Sequence, residues 1–271
     1  MQRHRASITE TLNKKALKID ALKYGCDVEI KVNPPLPKRC GWFLILCGAP
    51  GSGKSTMLNS LFATKRKAYY KKFQDTYLFG NGTVSLKKDP FKFVPKKNRY
   101  AKVTEETLNH LMDRLYCCGR RVLIVFDDVV SDFAFSGSTR AALSQLARNR
   151  RHVANGEFQE ECFDTRRFPV RRYMKTVRVT SGSCSIVITT QNYNAVPRQC
   201  RMIASHLILF NCNEQEKMHI ADELIAMPKK VFAQICAYTF KNPHDHLLVE
   251  TAKGLQGFHR NFNALSISYS A

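Results

Sequence analysis

One stretch limits this chain more than any other. Gly48-Ala49-Pro50-Gly51-Ser52-Gly53-Lys54-Ser55-Thr56 fits the pattern G-x-x-x-x-G-K-[ST]. It follows the apolar run Trp42 to Cys47 and precedes Leu58, Leu61 and Phe62, which are spaced for one face of a helix. A strand, a glycine loop and a helix in that order make a phosphate-binding turn. Glycines let backbone N–H groups curl round phosphate oxygens with no Cβ in the way. The helix N-terminus adds partial positive charge. In that turn Lys54 reaches the β- and γ-phosphates of ATP, and the Ser55 hydroxyl ligates Mg²⁺. The competing reading is an ordinary glycine-rich turn.

The rest of the chain alternates strand and helix patterns. Continuous apolar runs at 42–47, 122–126, 185–190 and 206–210, with Thr76–Phe79, read as parallel strands buried on both faces. Leu108, Leu111, Met112 and Leu115 form a helical stripe after a Thr104 cap, and residues 138–150 read as another helix. Asn213-x-x-Glu216 opens a further helix, Pro228 begins the next, and Leu247–Val249 reads as a late strand. The fold class is therefore α/β, a P-loop domain with a mostly parallel central sheet flanked by helices. Hydrophobic residues make up 44% of the chain, enough for a sizeable core. Ser7-x-x-Glu10 has the form of a capping box, so residues 7–24 read as an amphipathic helix. The Pro-rich run 33–37 ends that appendage, giving 1–38 as a helical N-terminal segment and 39–271 as the ATPase domain.

Other residues add chemistry to the loop. Asp127-Asp128 closes the 122–126 strand, whose carboxyl end faces the ligand crevice. Asp127 there can hold Mg²⁺, and Asp128 can orient or deprotonate a water. Either acid can instead cap the next helix. Gln191 ends the 185–190 strand and can sense the γ-phosphate if that strand lies beside the phosphate-loop strand. A loop glutamine bonded to backbone is the equal alternative. Arg148, Arg150 and Arg151 end a helix, where they complement its dipole. One of them, with Arg151 preferred, can serve as an arginine finger in a neighbouring subunit's site.

Charge points to the partner. Lys and Arg number 43 against 22 Asp and Glu, a net +21, which calls for a polyanion. Basic residues cluster within 65–102 and within 166–178, both interleaved with aromatics. That pattern suits contact with a phosphate backbone, and the aromatics suit either base stacking or the core. The apolar runs are too short for a membrane span, and no apolar stretch follows the basic N-terminus as a secretory signal needs. The 10 cysteines lack C-x-x-C spacing and read as small hydrophobes of a reducing intracellular compartment, not as zinc ligands.

An extra strand between the loop and the Asp-Asp strand is the mark of RecA-like ATPases. At this level the chain resembles the FtsK–HerA group, and more specifically the genome-packaging ATPases of poxviruses, other large DNA viruses and virophage-like elements. The matching residues are Gly48–Thr56, Val122–Asp128 with Ser131-Asp132, Arg151-His152, Ile186–Tyr193, Val196-Pro197 and Ile208–Phe210. The resemblance implies a ring, hexameric or pentameric, that hydrolyses ATP to drive double-stranded DNA into a capsid. It implies an infected host cell, cytoplasm or nucleus, with association with the virion and with capsid or portal protein. The family places Arg-His close before the Gln-ended strand, whereas here 154–183 intervenes. That insertion is expected to be a basic hairpin facing the pore or portal.

Two other functions compete. The same loop opens many nucleotide kinases, with 166–178 then a phosphate-clamping lid. A net charge of +21 and paired acids suited to activating water argue against it. A replicative helicase is the other.

Overall fold

Phe43 to Cys47 forms strand β2, and all five of its residues are buried. Side chains on a strand point alternately to opposite faces, so β2 feeds two cores. Leu44 and Leu46 pack with Met57, Leu58 and Leu61 of helix α1 (Lys54–Phe62). Phe43, Ile45 and Cys47 face the other core, which α2 (Glu105–Leu115), α4 (Gly137–Asn149), α6 (Glu214–Leu224) and α7 (Lys229–Thr239) cover. This computed structural model describes residues 7–11, 35, 41–65, 69–80, 89–134, 136–164, 171–179, 182–225, 227–251 and 257–268.

The remaining strands are β1 (Ser7–Thr11), β3 (Asp75–Phe79), β4 (Arg99–Tyr100), β5 (Arg121–Asp127), β8 (Ser183–Thr190), β9 (His206–Phe210), β10 (His246–Glu250), β11 (Gly257–Arg260) and β12 (Asn263–Ser268). They form one sheet in the order β1-β12-β11-β10-β9-β2-β8-β5-β3-β4. From β9 to β4 every pairing is parallel. The expected α/β sheet with flanking helices is therefore present, and each apolar run named above lies within it. Thr104 caps α2 as read: its side chain accepts from the Thr107 amide, and Thr107 returns the bond. Asn213 caps α6, its side chain accepting from the Glu216 amide. No helix among the described residues is long and apolar enough to cross a membrane.

One expectation needs correction, and two readings are completed by the fold. The helix read over 7–24 fails at its start, because Ser7–Thr11 is a strand antiparallel to β12. Ile8, Thr9 and Thr11 are β-branched and stiff in a helix, and the edge of β12 offers their backbone a ladder. Residues 12–24 lie outside the described residues, as does most of the 1–38 segment. The late strand read at 247–249 is present as β10, and the sheet continues past it. Strands β10, β11, β12 and β1 extend it antiparallel. Asn261-Phe262 turns the β11–β12 hairpin with φ of 49° and 68°. Positive φ at both central residues matches the right-handed twist of the strands. Phe262 tolerates it because its ring is buried against His246, with centroids 4.7 Å apart.

Of the two readings of the 65–102 aromatics, the core reading holds for most of those described. Tyr69 and Phe91 are buried, and Phe73 and Phe93 pack with them beside Trp42 and Phe62. Tyr100 stacks on Phe79 at 4.6 Å. Arg99 belongs to the framework too: it pairs with Asp89 at 2.6 Å and donates to the Phe91 and Val94 carbonyls. Lys65, Lys71, Lys72, Lys92, Lys96, Lys97 and Lys102 remain exposed. Arg66, Lys67, Lys87 and Lys88 lie outside the described residues.

Candidate nucleotide site

The phosphate loop leaves the carboxyl end of β2. Its first amide, Gly48 N–H, donates to the Thr190 carbonyl at 3.2 Å, tying the loop to β8. A Cβ on Gly48 would lie 2.6 Å from Cβ of Phe210, so only glycine fits there. Gly53 stands at φ 108°, a conformation open to glycine, and turns the chain into α1. It carries no capping side chain, so the first-turn amides of Lys54, Ser55 and Thr56 are left for a ligand at that helix end. Gly48, Ala49, Pro50, Gly51, Ser52 and Gly53 thus form the turn between β2 and α1. Lys54 folds back on the loop, its Nζ donating to the carbonyls of Gly48 (2.7 Å) and Ala49 (2.9 Å). Burial lowers its pKa, while Asp128, Cys47 and Asp127 pull the other way.

Strand order brings the acids to this loop. Strand β8 lies between β2 and β5, with Thr190 beside Cys47 and Thr189 beside Asp127. Thr189, which sequence reading missed, joins the two acids. Its hydroxyl donates to Oδ1 of Asp127 at 2.8 Å and accepts the Asp128 amide at 3.0 Å. Asp127 is 9% exposed, and burial raises its pKa; the Thr189 bond and Lys54 oppose this, and the Asp128 charge adds to it. Asp128 is exposed and stands at φ 54°, an uncommon conformation for a residue with a side chain. Such strain collects at functional sites. Gln191 Nε2 donates to Oδ2 of Asp128 at 2.8 Å. The glutamine read as a phosphate sensor is thus bonded to the acid read as the water activator. In sequence Thr189 is one more threonine near a strand's end, and only the register sets it against Asp127.

Arg151 is not brought to this loop. Arg150 is buried and donates to the Gly41 and Ala147 carbonyls at 3.0 and 2.8 Å. Gly41 precedes β2, so this corner lies at the N-terminal ends of the parallel strands, opposite Lys54. Arg151 is exposed at the same corner, its Cγ 3.1 Å from where a Gly41 Cβ would stand. With roughly 3.3 Å of rise per strand residue, the length of β2 separates it from its own subunit's loop. Arg148 is bonded to Gln199 at 2.6 Å.

The 154–183 insertion is a hairpin, as read, formed by β6 (Gly156–Asp164) and β7 (Arg171–Val179). Its strands are not basic in sum. Glu157, Glu160, Glu161 and Asp164 on β6 match Arg171, Arg172, Lys175 and Arg178 on β7. The register sets Glu157 against Arg178, Glu160 against Lys175 and Asp164 against Arg171. Glu157 and Arg178 pair at 2.7 Å, and Glu161 pairs with Arg172. Counting only the bases hid this, because the acids lie a strand earlier. Arg166 and Arg167 lie outside the described residues.

No family model matches the chain, and no curated protein does. Among solved structures it is similar to B204, the DNA-packaging ATPase of Sulfolobus turreted icosahedral virus. The identity is 11%, the TM-score is 0.49, and the match covers 80% of this chain and 96% of that one. It is also similar to the pCW3 conjugation coupling protein TcpA, with 11% identity, a TM-score of 0.47, and 93% and 66% of the two chains covered. A third similar structure is Thermomonospora curvata EccC (ATPases 2 and 3), with 12% identity, a TM-score of 0.45, and 85% and 37% covered.

Proposed function

We propose that this chain is a Mg²⁺-dependent ATP hydrolase that moves double-stranded DNA, acting as the genome-packaging motor of a DNA virus or virus-like element. The observation that carries the hydrolase reading is the Asp128–Gln191 bond just past the ends of β5 and β8, on one side of the phosphate-loop strand. Water attacks the γ-phosphorus in line, the bond to the ADP oxygen breaks, and the Asp128 carboxylate orients the water and takes its proton. Lys54 exchanges the Gly48 and Ala49 carbonyls for phosphate oxygens and offsets their growing charge. Gln191 exchanges Asp128 for the γ-phosphate, which frees the acid only when ATP is bound. The Ser55 hydroxyl and the Asp127 carboxylate form a hard-oxygen donor set of the kind Mg²⁺ takes alongside phosphate oxygens and water. Bound there, Mg²⁺ would neutralise charge on the β- and γ-oxygens.

DNA as the load rests on the net charge of +21 and on the exposed lysines between 65 and 102. A ring of copies is proposed because Arg151 stands too far from its own loop and can act only in a neighbour's site. The infected cell, and a capsid or portal protein as partner, belong to the same proposal. The test is ATP hydrolysis with and without duplex DNA. Stimulation is expected at low salt and should collapse between about 50 and 200 mM salt, as phosphate-backbone contacts do. No stimulation at low salt would overturn the DNA part and favour a phosphotransferase.

A further inference from the structure

The parallel strands all end at the phosphate loop, but β10 starts there. It runs antiparallel to β9, with His246 opposite Phe210. The turn before it therefore arrives at the loop's open side. His244 in this turn places Nδ1 3.0 Å from the Ser52 carbonyl oxygen. A carbonyl only accepts, so Nδ1 is the donor in this bond. The ring also lies against Gly53, where a Cβ would stand 3.4 Å from Nδ1.

His244 holds this position at φ 69°, unusual for a residue with a side chain. The turn is fixed around it. Oδ2 of Asp245 accepts from the Lys241 and Asn242 amides at 3.1 and 2.8 Å and from Arg260 at 3.2 Å. Oδ1 of Asp245 accepts from Asn261 at 2.7 Å. The ring is exposed, so its own burial does not account for a fixed left-handed conformation.

The sheet order gives the pocket a direction. On one side of β2 lie β8 and β5, with Gln191, Asp127 and Asp128. On the other lie β9 and β10, with Phe210 and the His244 turn. A triphosphate whose terminal phosphate faces the acids carries its other end toward His244. We propose that His244 forms the wall of a nucleoside subsite, its ring against the base or ribose and held in place by the Nδ1–Ser52 bond. This deepens the ATP hydrolase reading and rests on it.

The test compares ATP with inorganic tripolyphosphate, which has phosphates and no nucleoside, as a competitive inhibitor. His244→Ala should raise KM for ATP about tenfold with kcat nearly unchanged, as loss of a ring contact made equally in the ground and transition states does. Its inhibition by tripolyphosphate should match the wild type. His244→Asn tolerates the left-handed backbone and retains a donor for the Ser52 carbonyl, yet lacks the ring, so KM should rise equally. An unchanged KM in His244→Ala overturns the inference. So does a parallel loss of ATP and tripolyphosphate binding that His244→Asn restores, since His244 would then only brace the loop. Absence of ATP hydrolysis in the wild-type protein would instead remove the reading beneath it.

Discussion

Asp128→Asn is expected to stop turnover while leaving ATP bound. The substitution removes the carboxylate's charge and with it the capacity to take a proton from water. Asparagine keeps the side-chain shape and an oxygen that can still accept from Gln191, whose Nε2 lies 2.8 Å from Oδ2 of Asp128. It also tolerates φ near 54° better than most residues, so the turn after β5 is preserved. Loss of a positioned general base costs typically 10²–10⁴-fold, so kcat should fall by about 10³. Phosphate release measured beside equilibrium ATP binding separates the effects. Turnover within about threefold of wild type would show that Asp128 does not activate the water.

Lys54→Ala should weaken both steps together. Its ammonium sits on the loop, bonded at 2.7 and 2.9 Å to the carbonyls of Gly48 and Ala49. Removing a charge that follows the β- and γ-phosphates into the transition state should lower kcat/KM by about 10³. The fold should survive, because Lys54 is partly exposed and water can reach the two carbonyls it leaves. Melting temperature without nucleotide should therefore change little, while the rise in melting temperature on adding ATP should largely vanish. A full ligand-induced rise in Lys54→Ala would place the phosphates somewhere other than this loop.

The parts of this site that could be read in advance share one property: their signal is local. A buried parallel strand is apolar throughout, and a phosphate loop needs glycine and lysine at fixed spacing. So β2, β5, β8 and β9, the loop, and the acids at its flank were legible from runs of a few residues. What stayed hidden depends on partners distant in sequence. Ser7 and Glu10 have the spacing of a helix cap, but the strand they join pairs with residues 264–268 at the far end of the chain. Asn261-Phe262 lacks the glycine that flags a two-residue hairpin, and burial of Phe262 makes up for it. Thr189 is an ordinary strand threonine until the register sets it against Asp127. The hairpin's bases looked like a DNA-binding cluster until the register set acids opposite Arg171, Lys175 and Arg178. The aromatics between 69 and 93 sit among lysines in sequence, yet in space they fill the core beneath α1.

The central claim is that water, oriented by Asp128, takes the terminal phosphate of ATP held by Gly48–Thr56. Following the γ-phosphorus of ATP in ¹⁸O-labelled water tests it most directly. The account predicts ADP and inorganic phosphate carrying an oxygen from the solvent, formed by the wild-type protein and lost with Asp128→Asn. Transfer of the γ-phosphate to a nucleoside or another hydroxyl, with no solvent oxygen incorporated, would contradict it.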